Sequence, residues 1–271
     1  MYKDFYRLAH EPFNLTPDPR FLYLTPQHAE ALNHLRYGIT QRKGFICLTG
    51  EVGAGKTTLC RALLNELSQS CVTALILNPV LSETQLLRAV LAELGVPAGR
   101  HDRLAALSLL NEYLLKVNAA GKNAVLIIDE VQDMPDATLE MTRLLSNLET
   151  ASTKLLQIVL VGQPELRAKL AKPSLRQLAQ RITVRYHLGN MTCDQTRQYV
   201  RHRVAVACAK GPLAVQFDDD ALDEIHLHSQ GTPRLVNAIS DKALLAGYVH
   251  RTDHITRAMV QLAVRDLKEA C

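Results

Sequence analysis

Apolar and polar positions along this chain follow two periods, and the switches between them mark its elements. Mainly apolar runs of five to seven residues recur at 45–49, 72–78, 124–128 and 155–161, and residues 182–188 alternate. These lengths predict strands. The run at 124–128 has no polar side chain, as a strand covered on both sheet faces requires. Between the runs the spacing lengthens to that of a helix. Leu59, Leu63 and Leu67 share one face of a predicted helix over 57–68. Further helices are predicted over 27–39, 104–118, 137–150 and 82–94, the last capped by Ser82 and stopped by Gly95 and Pro97. After Gly189 no strand pattern follows, and helical spacing fits 193–210, 219–229, 233–250 and 256–269. Strand–helix alternation followed by helices alone predicts an α/β protein: a mainly parallel sheet flanked by helices, then a separate helical domain. The expected division is 1–40 as an N-terminal wrap and first helix, 41–188 as the sheet core and 189–271 as the helical domain. The wrap is punctuated by Pro12, Pro17, Pro19 and Pro26, with Phe5, Phe13, Phe21 and Tyr23 between them, so it reads as ordered but irregular.

The chemistry begins where the first strand ends. Gly50-Glu51-Val52-Gly53-Ala54-Gly55-Lys56-Thr57 matches Gly-x-x-x-x-Gly-Lys-[Ser/Thr] in full. The loop lies between a predicted strand and a predicted helix, as phosphate binding requires. Glycines let successive N–H groups turn toward an anion, and a Cβ at Gly55 would crowd that approach. The following helix, which includes Thr58, offers its unpaired N–H groups and positive dipole end. Lys56 is expected to reach the terminal phosphates of ATP, and Thr57 to offer its hydroxyl to magnesium.

A second strand ends in acids. Ala124-Val125-Leu126-Ile127-Ile128 runs into Asp129-Glu130. Strand-end acids are common loop starters, but downstream of a complete phosphate loop they gain a role. Magnesium takes hard oxygen ligands, so Asp129 is the expected metal-side carboxylate and Glu130 the general base for an attacking water. The strand at 155–161 ends in Gly162-Gln163, and Gln163 is a candidate to orient that water. Farther on, Arg167, Lys169, Lys172, Arg176, Arg181 and Arg185 occur with no acid among them. The stretch reads as a solvated basic face, as a nucleic-acid surface, or as the source of an arginine reaching a nucleotide in a neighbouring subunit. Arg176 and Arg181 are the candidates for that last role. Gly231-Thr232-Pro233-Arg234 opens a helix, with Thr232 a possible cap and Pro233 in its first turn. Arg234 then projects from a fixed place toward a γ-phosphate or toward solvent.

Composition narrows the class. The chain has 271 residues, a net charge of +4 and no Trp, so an anionic partner is permitted but not demanded. Its 6 cysteines include no Cys-x-x-Cys pair and read as free thiols in a reducing compartment. The charged opening Met1-Tyr2-Lys3-Asp4-Phe5-Tyr6-Arg7 lacks the apolar stretch of a signal peptide. No apolar run reaches the roughly 18–20 residues that span a bilayer. The expectation is a cytoplasmic protein without direct membrane insertion. The pairs His226/His228 and His250/His254 lack a third ligand nearby, so no histidine metal site is expected.

Together these motifs, in this order, resemble the AAA+ ATPases. The opening Met1 to Tyr6, the segment Glu11-Pro12-Phe13-Asn14-Leu15-Thr16-Pro17-Asp18-Pro19-Arg20-Phe21-Leu22-Tyr23, Leu160 to Leu166 and Gln180-Arg181-Ile182 resemble the ExeA/GspA branch. That branch includes ATPases of MSHA-pilus and exosortase loci. The resemblance spans nearly the whole chain and implies a five-stranded sheet, the phosphate-loop strand and the Asp129 strand separated by the Gln163 strand, and a C-terminal helical lid. It implies Mg-ATP held between subunits of a homo-oligomer, with Gln163 as sensor 1, Arg234 as sensor 2 and Arg176 or Arg181 as the trans finger. Pro12 and Phe13 would help line the adenine pocket. It further implies ATP hydrolysis that drives assembly of a secretion or pilus-like system through a membrane-system partner. The ExeA/GspA proteins continue into a transmembrane segment and a peptidoglycan-binding domain, and this sequence shows neither, so the expectation is an ATPase acting through partners. Related AAA+ proteins regulate transposition as ATP-dependent DNA-binding proteins, which makes DNA a possible partner. A nucleotide switch with little turnover is the third reading.

Overall fold

A computed structural model describes residues 1–271 apart from 15–17, 98, 100–101, 152, 209–214 and 270–271. Leu15-Thr16-Pro17 of the opening segment, residues 209–210 of the expected helix over 193–210, and Cys271 therefore lie outside the described residues. In chain order the elements are α1 (Tyr2–Phe5), α2 (Pro26–Thr40), β1 (Phe45–Gly50), α3 (Lys56–Leu67), β2 (Cys71–Ile76), α4 (Glu83–Glu93), α5 (Arg103–Ala119) and β3 (Asn123–Ile128). There follow α6 (Asp136–Leu145), β4 (Leu156–Gly162), α7 (Glu165–Leu170), α8 (Arg176–Arg181), β5 (Ile182–Leu188), α9 (Cys193–Cys208), β6 (Gln216–Phe217), α10 (Asp219–Ser229), α11 (Pro233–Val249), β7 (His254–Ile255) and α12 (Arg257–Glu269). They group into two compact units. One holds Gln27–Gly50 and Leu59–Leu188; the other holds Met1–Pro26, Glu51–Thr58 and Gly189–Cys271.

The first unit is the sheet core. Its five strands run β2-β3-β4-β1-β5, and every neighbouring pair is parallel. β4 thus lies between the strand that leads into the phosphate loop and the strand that ends at Asp129. Both sheet faces are covered. Leu126, Ile128, Ile158 and Leu160 join Leu86, Leu87 and Leu91 of α4 and Leu110 and Leu114 of α5 in one core. The alternate residues Ile46, Leu48, Val125, Ile127 and Val159 are equally buried, which explains strands that are apolar at most positions on both faces. α2 packs close against β1: a Cβ on Gly38 would stand 2.5 Å from Ile46 Cδ1. Ser82 caps α4 in a reciprocal box, its hydroxyl accepting from Gln85 N–H while Gln85 Oε1 accepts from Ser82 N–H at 2.8 Å.

Two sequence expectations change in this unit. The helix expected over 137–150 stops at Leu145. Local bonds close that end, Ser146 Oγ donating to the Arg143 carbonyl at 2.7 Å and Asn147 N–H to that of Leu144 at 3.0 Å, and a cap from elsewhere in the chain reinforces them. Arg181 Nη1 donates to the Arg143 carbonyl, to Ser146 Oγ and to Asn147 Oδ1, at 3.2, 2.8 and 2.5 Å, and so binds the α6 end where carbonyls lack helical partners. The second change is α7 and α8, two short helices inside the basic stretch.

The second unit is the helical one. Tyr6, Phe13, Val200, Leu222, Ile225, Val236 and Leu244 share its core. The N-terminal wrap is held there by polar contacts as well. Tyr6 hydroxyl donates to the carbonyls of Leu244 and Thr252 at 3.1 and 3.2 Å. Ala9 N–H donates to the Ala207 carbonyl at 2.8 Å. The expectation that strands end before Gly189 is corrected here: β6 and β7 form a two-residue parallel ladder, Gln216 with His254 and Phe217 with Ile255. A strand of two residues carries no readable period. Among the described residues no helix is long and apolar enough to cross a membrane. Cys47, Cys60 and Cys71 are buried free thiols, and burial pushes the Cys47 thiol up to about 11, which keeps it protonated and unreactive near neutrality.

Candidate functional site

The phosphate loop is held by its glycines. Gly53 and Gly55 have φ of +77° and +93°, while Val52, Ala54 and Lys56 between and beside them keep ordinary negative φ. That alternation turns successive N–H groups to one side, the arrangement that receives an anion. Gly50 has a different reason to be glycine. A Cβ there would stand 2.7 Å from the Leu188 carbonyl oxygen on β5, so the strand pairing itself excludes a side chain. Lys56 is buried, and its Nζ donates to the Glu51 carbonyl at 2.9 Å. The ammonium therefore stands over the loop's own backbone at the first turn of α3, a 12-residue helix. Thr57 and Thr58 are half-buried in the same turn.

Arg234 belongs to this part of the site. Its backbone N–H donates to the Gly53 carbonyl at 3.3 Å. Its side-chain stem lies over the glycine, since a Cβ on Gly53 would meet Arg234 Cβ at 2.4 Å. The sequence pairs these residues only by family pattern; the structure joins them through the first turn of α11. Pro233 occupies that turn as expected, but Thr232, though it stands at the N-cap, makes no side-chain capping bond. The fixed entry to α11 comes instead from Gly231, at φ +72°, whose carbonyl accepts from Met191 N–H at 3.0 Å. A Cβ on Gly231 would stand 1.9 Å from the Met191 carbonyl oxygen. Gly231→Ala must therefore move backbone in a left-handed position, and it should destabilise the fold by about 2–4 kcal/mol. A urea midpoint unchanged from the parent would refute that contact as a structural constraint.

A group of carboxylate and amide side chains lies at the carboxyl ends of β3 and β4. Asp129 is buried; its Oδ1 accepts from Glu130 N–H at 2.9 Å, and its own N–H donates to the Ile76 carbonyl at 2.8 Å. Glu130 follows in a left-handed conformation, φ +51° and ψ +40°. For a residue with a Cβ this costs about 1–2 kcal/mol and belongs to the class of strain found at functional sites. Gln163, beyond the end of β4, donates its Nε2–H to Glu130 Oε2 at 3.1 Å. The structure thus brings Glu130 and Gln163 together. It also adds a residue that sequence reasoning missed. Gln132 lies in the single turn Val131–Asp133 after Glu130, donates Nε2–H to Glu130 Oε2 at 2.7 Å and accepts Gln163 N–H on Oε1 at 3.1 Å. Its only sequence signal is a position two residues past the acid pair.

The basic stretch is mostly tied to its own chain. Lys169 Nζ donates to the carbonyls of Gln132 and Met134 and lies 3.6 Å from Asp136. Lys172 pairs with Asp136 at 2.9 Å, holding that carboxyl below its ordinary range. Arg185 donates to the Ala179 carbonyl at 2.6 Å, and Arg181 caps α6. The side chains of Arg167 and Arg176 are exposed and make no hydrogen bond or ion pair among the described residues. Arg176 stands at the start of α8, on the rim of an open hollow of about 490 Å³ lined by Leu170, Pro173 and Ala179. Pro12 and Phe13 are both buried. Phe13 packs edge-on to Phe217 at 6.0 Å, and Arg203 Nε donates to the Pro12 carbonyl, so both sit in the core of the helical unit.

These observations can be set beside known proteins. Residues 39–170 match the AAA domain family. General secretion pathway protein A of Aeromonas hydrophila is 44% identical over 268 residues, covering 98% of this chain and 48% of that protein. The chain thus spans about half the length of the curated relative it matches. Among solved structures, Cdc6p of Pyrobaculum aerophilum is similar at TM-score 0.73 with 18% identity, over 94% of this chain and 70% of that one. The Aeropyrum pernix ORC2 protein, solved in ADPNP–ADP complexes, aligns at TM-score 0.72 with 16% identity, over 95% and 71%. The RuvB Holliday junction branch migration motor of Thermotoga maritima aligns at 0.56 with 19% identity, over 88% and 69%. At such identities these structures establish the fold alone.

Proposed function

From the premise that the chain is an AAA+ protein of the ExeA/GspA branch, we propose that it binds Mg-ATP and hydrolyses it to drive assembly of an envelope secretion or pilus-like system. One observation carries the chemistry. Three neighbouring parallel strands, β3, β4 and β1, deliver Asp129–Glu130, Gln163 and the entry to the phosphate loop at their carboxyl ends, where open α/β sheets bind ligands. Gly50, Glu51, Val52, Gly53, Ala54 and Gly55 form the cradle for the phosphates, Lys56 adds a fixed positive charge, and the start of α3 at Lys56, Thr57 and Thr58 supplies helix N–H groups. The donor set suits magnesium: Thr57 hydroxyl and Asp129 carboxylate are hard oxygens. When bound, the ion neutralises charge on the terminal phosphates.

The chain's own groups do the rest. Glu130 takes the proton of a water whose oxygen bonds to the γ-phosphorus as the bond to the bridging oxygen breaks. Gln163, already paired with Glu130, orients that water beside the carboxylate. Arg234, fixed to Gly53, senses the charge of the γ-phosphate. Pro12 and Phe13 hold the N-terminal wrap in the helical unit and so set the adenine side. The domain reading stands beside this: 1–40 as wrap and first helix, 41–188 as nucleotide core, 189–271 as lid. An arginine from a neighbouring copy completes the site, and Arg176 is the better of the two candidates because Arg181 is engaged in capping α6.

Hydrolysis is tested by magnesium-dependent phosphate release from ATP, and assembly by sizing the protein with ATP, with ADP, and with ATP plus duplex DNA. The expected result is steady turnover and a larger assembly with ATP than with ADP, neither raised severalfold by DNA. Tight ATP binding with negligible turnover would replace the motor by a nucleotide switch. Salt-sensitive filaments on DNA with stimulated turnover would replace the secretion assignment by DNA regulation.

A further inference from the structure

We propose that Gln132 is a positioning residue for hydrolysis, its side-chain amide fixing the Glu130 carboxylate and joining it to the carboxyl end of β4. The inference rests on the reading of Glu130 as the base. Both donors on the base reach the same oxygen: Gln132 Nε2 at 2.7 Å and Gln163 Nε2 at 3.1 Å, each to Oε2. Gln132 uses its other amide atom on the same assembly, Oε1 accepting the backbone N–H of Gln163. One planar amide thus holds the acid and the sensor strand end in a single register. A glutamine amide provides a donor and an acceptor in one plane without any change of protonation.

The surroundings are shaped for it. A Cβ on Gly162 would stand 2.9 Å from Gln132 Oε1, so glycine at the end of β4 leaves room for the amide. The turn that carries Gln132 is tied down from the β4 side, because Lys169 on α7 donates to the Gln132 carbonyl at 2.9 Å and to that of Met134. Glu130 needs such support, since its left-handed backbone and its side-chain torsions would otherwise relax independently. Gln132, Glu130 and Gln163 are all half-buried, so the hydrogen bonds are partly shielded while one oxygen of the carboxylate keeps its approach to water. A base misplaced by an ångström can lose about a hundredfold in rate.

The test compares Gln132→Ala and Gln132→Glu with the parent. Gln132→Glu keeps the length and an acceptor for Gln163 N–H but cannot donate to Glu130, and it guards against a simple folding failure of the alanine variant. Both should lower kcat about tenfold to a hundredfold, with ATP dissociation constants within about twofold of the parent. In a Glu130→Gln background, Gln132→Ala should produce no further loss, because residues acting as one unit are not additive. A parent-like kcat in either variant overturns the proposal, as does an additive loss in the double variant. A parent protein without turnover would overturn the hydrolysis reading and this inference together; a turning-over parent with unaffected variants overturns this inference alone.

Discussion

Glu130→Gln should lower ATP turnover at saturating nucleotide by about 10²–10⁴ while leaving ATP binding intact. The magnitude is that of a general base, and a thousandfold loss corresponds to about 4 kcal/mol of barrier. The substitution is informative because the structure predicts so little else will move. Glutamine has the same length as glutamate. Its Oε can still accept from Gln132 and Gln163, which now meet at Glu130 Oε2. Asp129, whose Oδ1 accepts the Glu130 backbone N–H, is untouched. Only the ability to take a proton is removed. Phosphate release under single-turnover and steady-state conditions gives the rate, and a fluorescent nucleotide gives the affinity. Turnover at the parent rate would remove Glu130 from the base role. A parallel loss of affinity would mean that the carboxylate acts in binding instead.

The strands around this acid were legible in the sequence, because a sheet covered on both faces leaves no polar position to blur a run such as Ala124–Ile128. β5 was found to the residue, from 182 to 188, because only its alternation marks a strand with one face open. The phosphate loop was legible because its chemistry requires glycine at fixed spacing. Long-range partners were not. Nothing local to residues 137–150 announces that Arg181, thirty-odd residues later, binds the end of α6. Nor does Asp129-Glu130-Val131-Gln132 reveal that Glu130 is left-handed or that Gln132 turns back onto it. The order of the sheet was likewise outside the reach of periodicity and came from family resemblance. The basic stretch shows the same limit from the other side. Six cations without an acid look like an open surface, yet Lys169 and Lys172 find Asp136 and Arg181 finds α6. Charge complementarity that is absent along the chain is present in space.

That engagement separates the two arginines that sequence reasoning left equal. Arg176→Ala should reduce the ATPase of the assembled protein by about 10³, the lower end of what a trans arginine contributes, and leave thermal stability and ATP affinity close to the parent. The side chain of Arg176 is exposed and makes no hydrogen bond or ion pair among the described residues, so its removal breaks nothing within its own subunit. Arg181→Ala should behave differently. It removes the donors that hold Arg143 O, Ser146 Oγ and Asn147 Oδ1, and should destabilise the fold by about 1–2 kcal/mol through a loosened α6 end. The decisive measurement mixes two inactive proteins. Glu130→Gln subunits carry an intact Arg176 but a dead base; Arg176→Ala subunits carry an intact base but no finger. Where the first contributes its arginine to a site on the second, a working site forms, so a mixture should recover part of the parent rate that neither component shows alone. Recovery that rises and falls with mixing ratio locates Arg176 in the neighbour's site. Co-assembled mixtures that stay inactive, or an Arg176→Ala protein that alone turns over at the parent rate, would return the role to Arg181 or remove the shared site altogether.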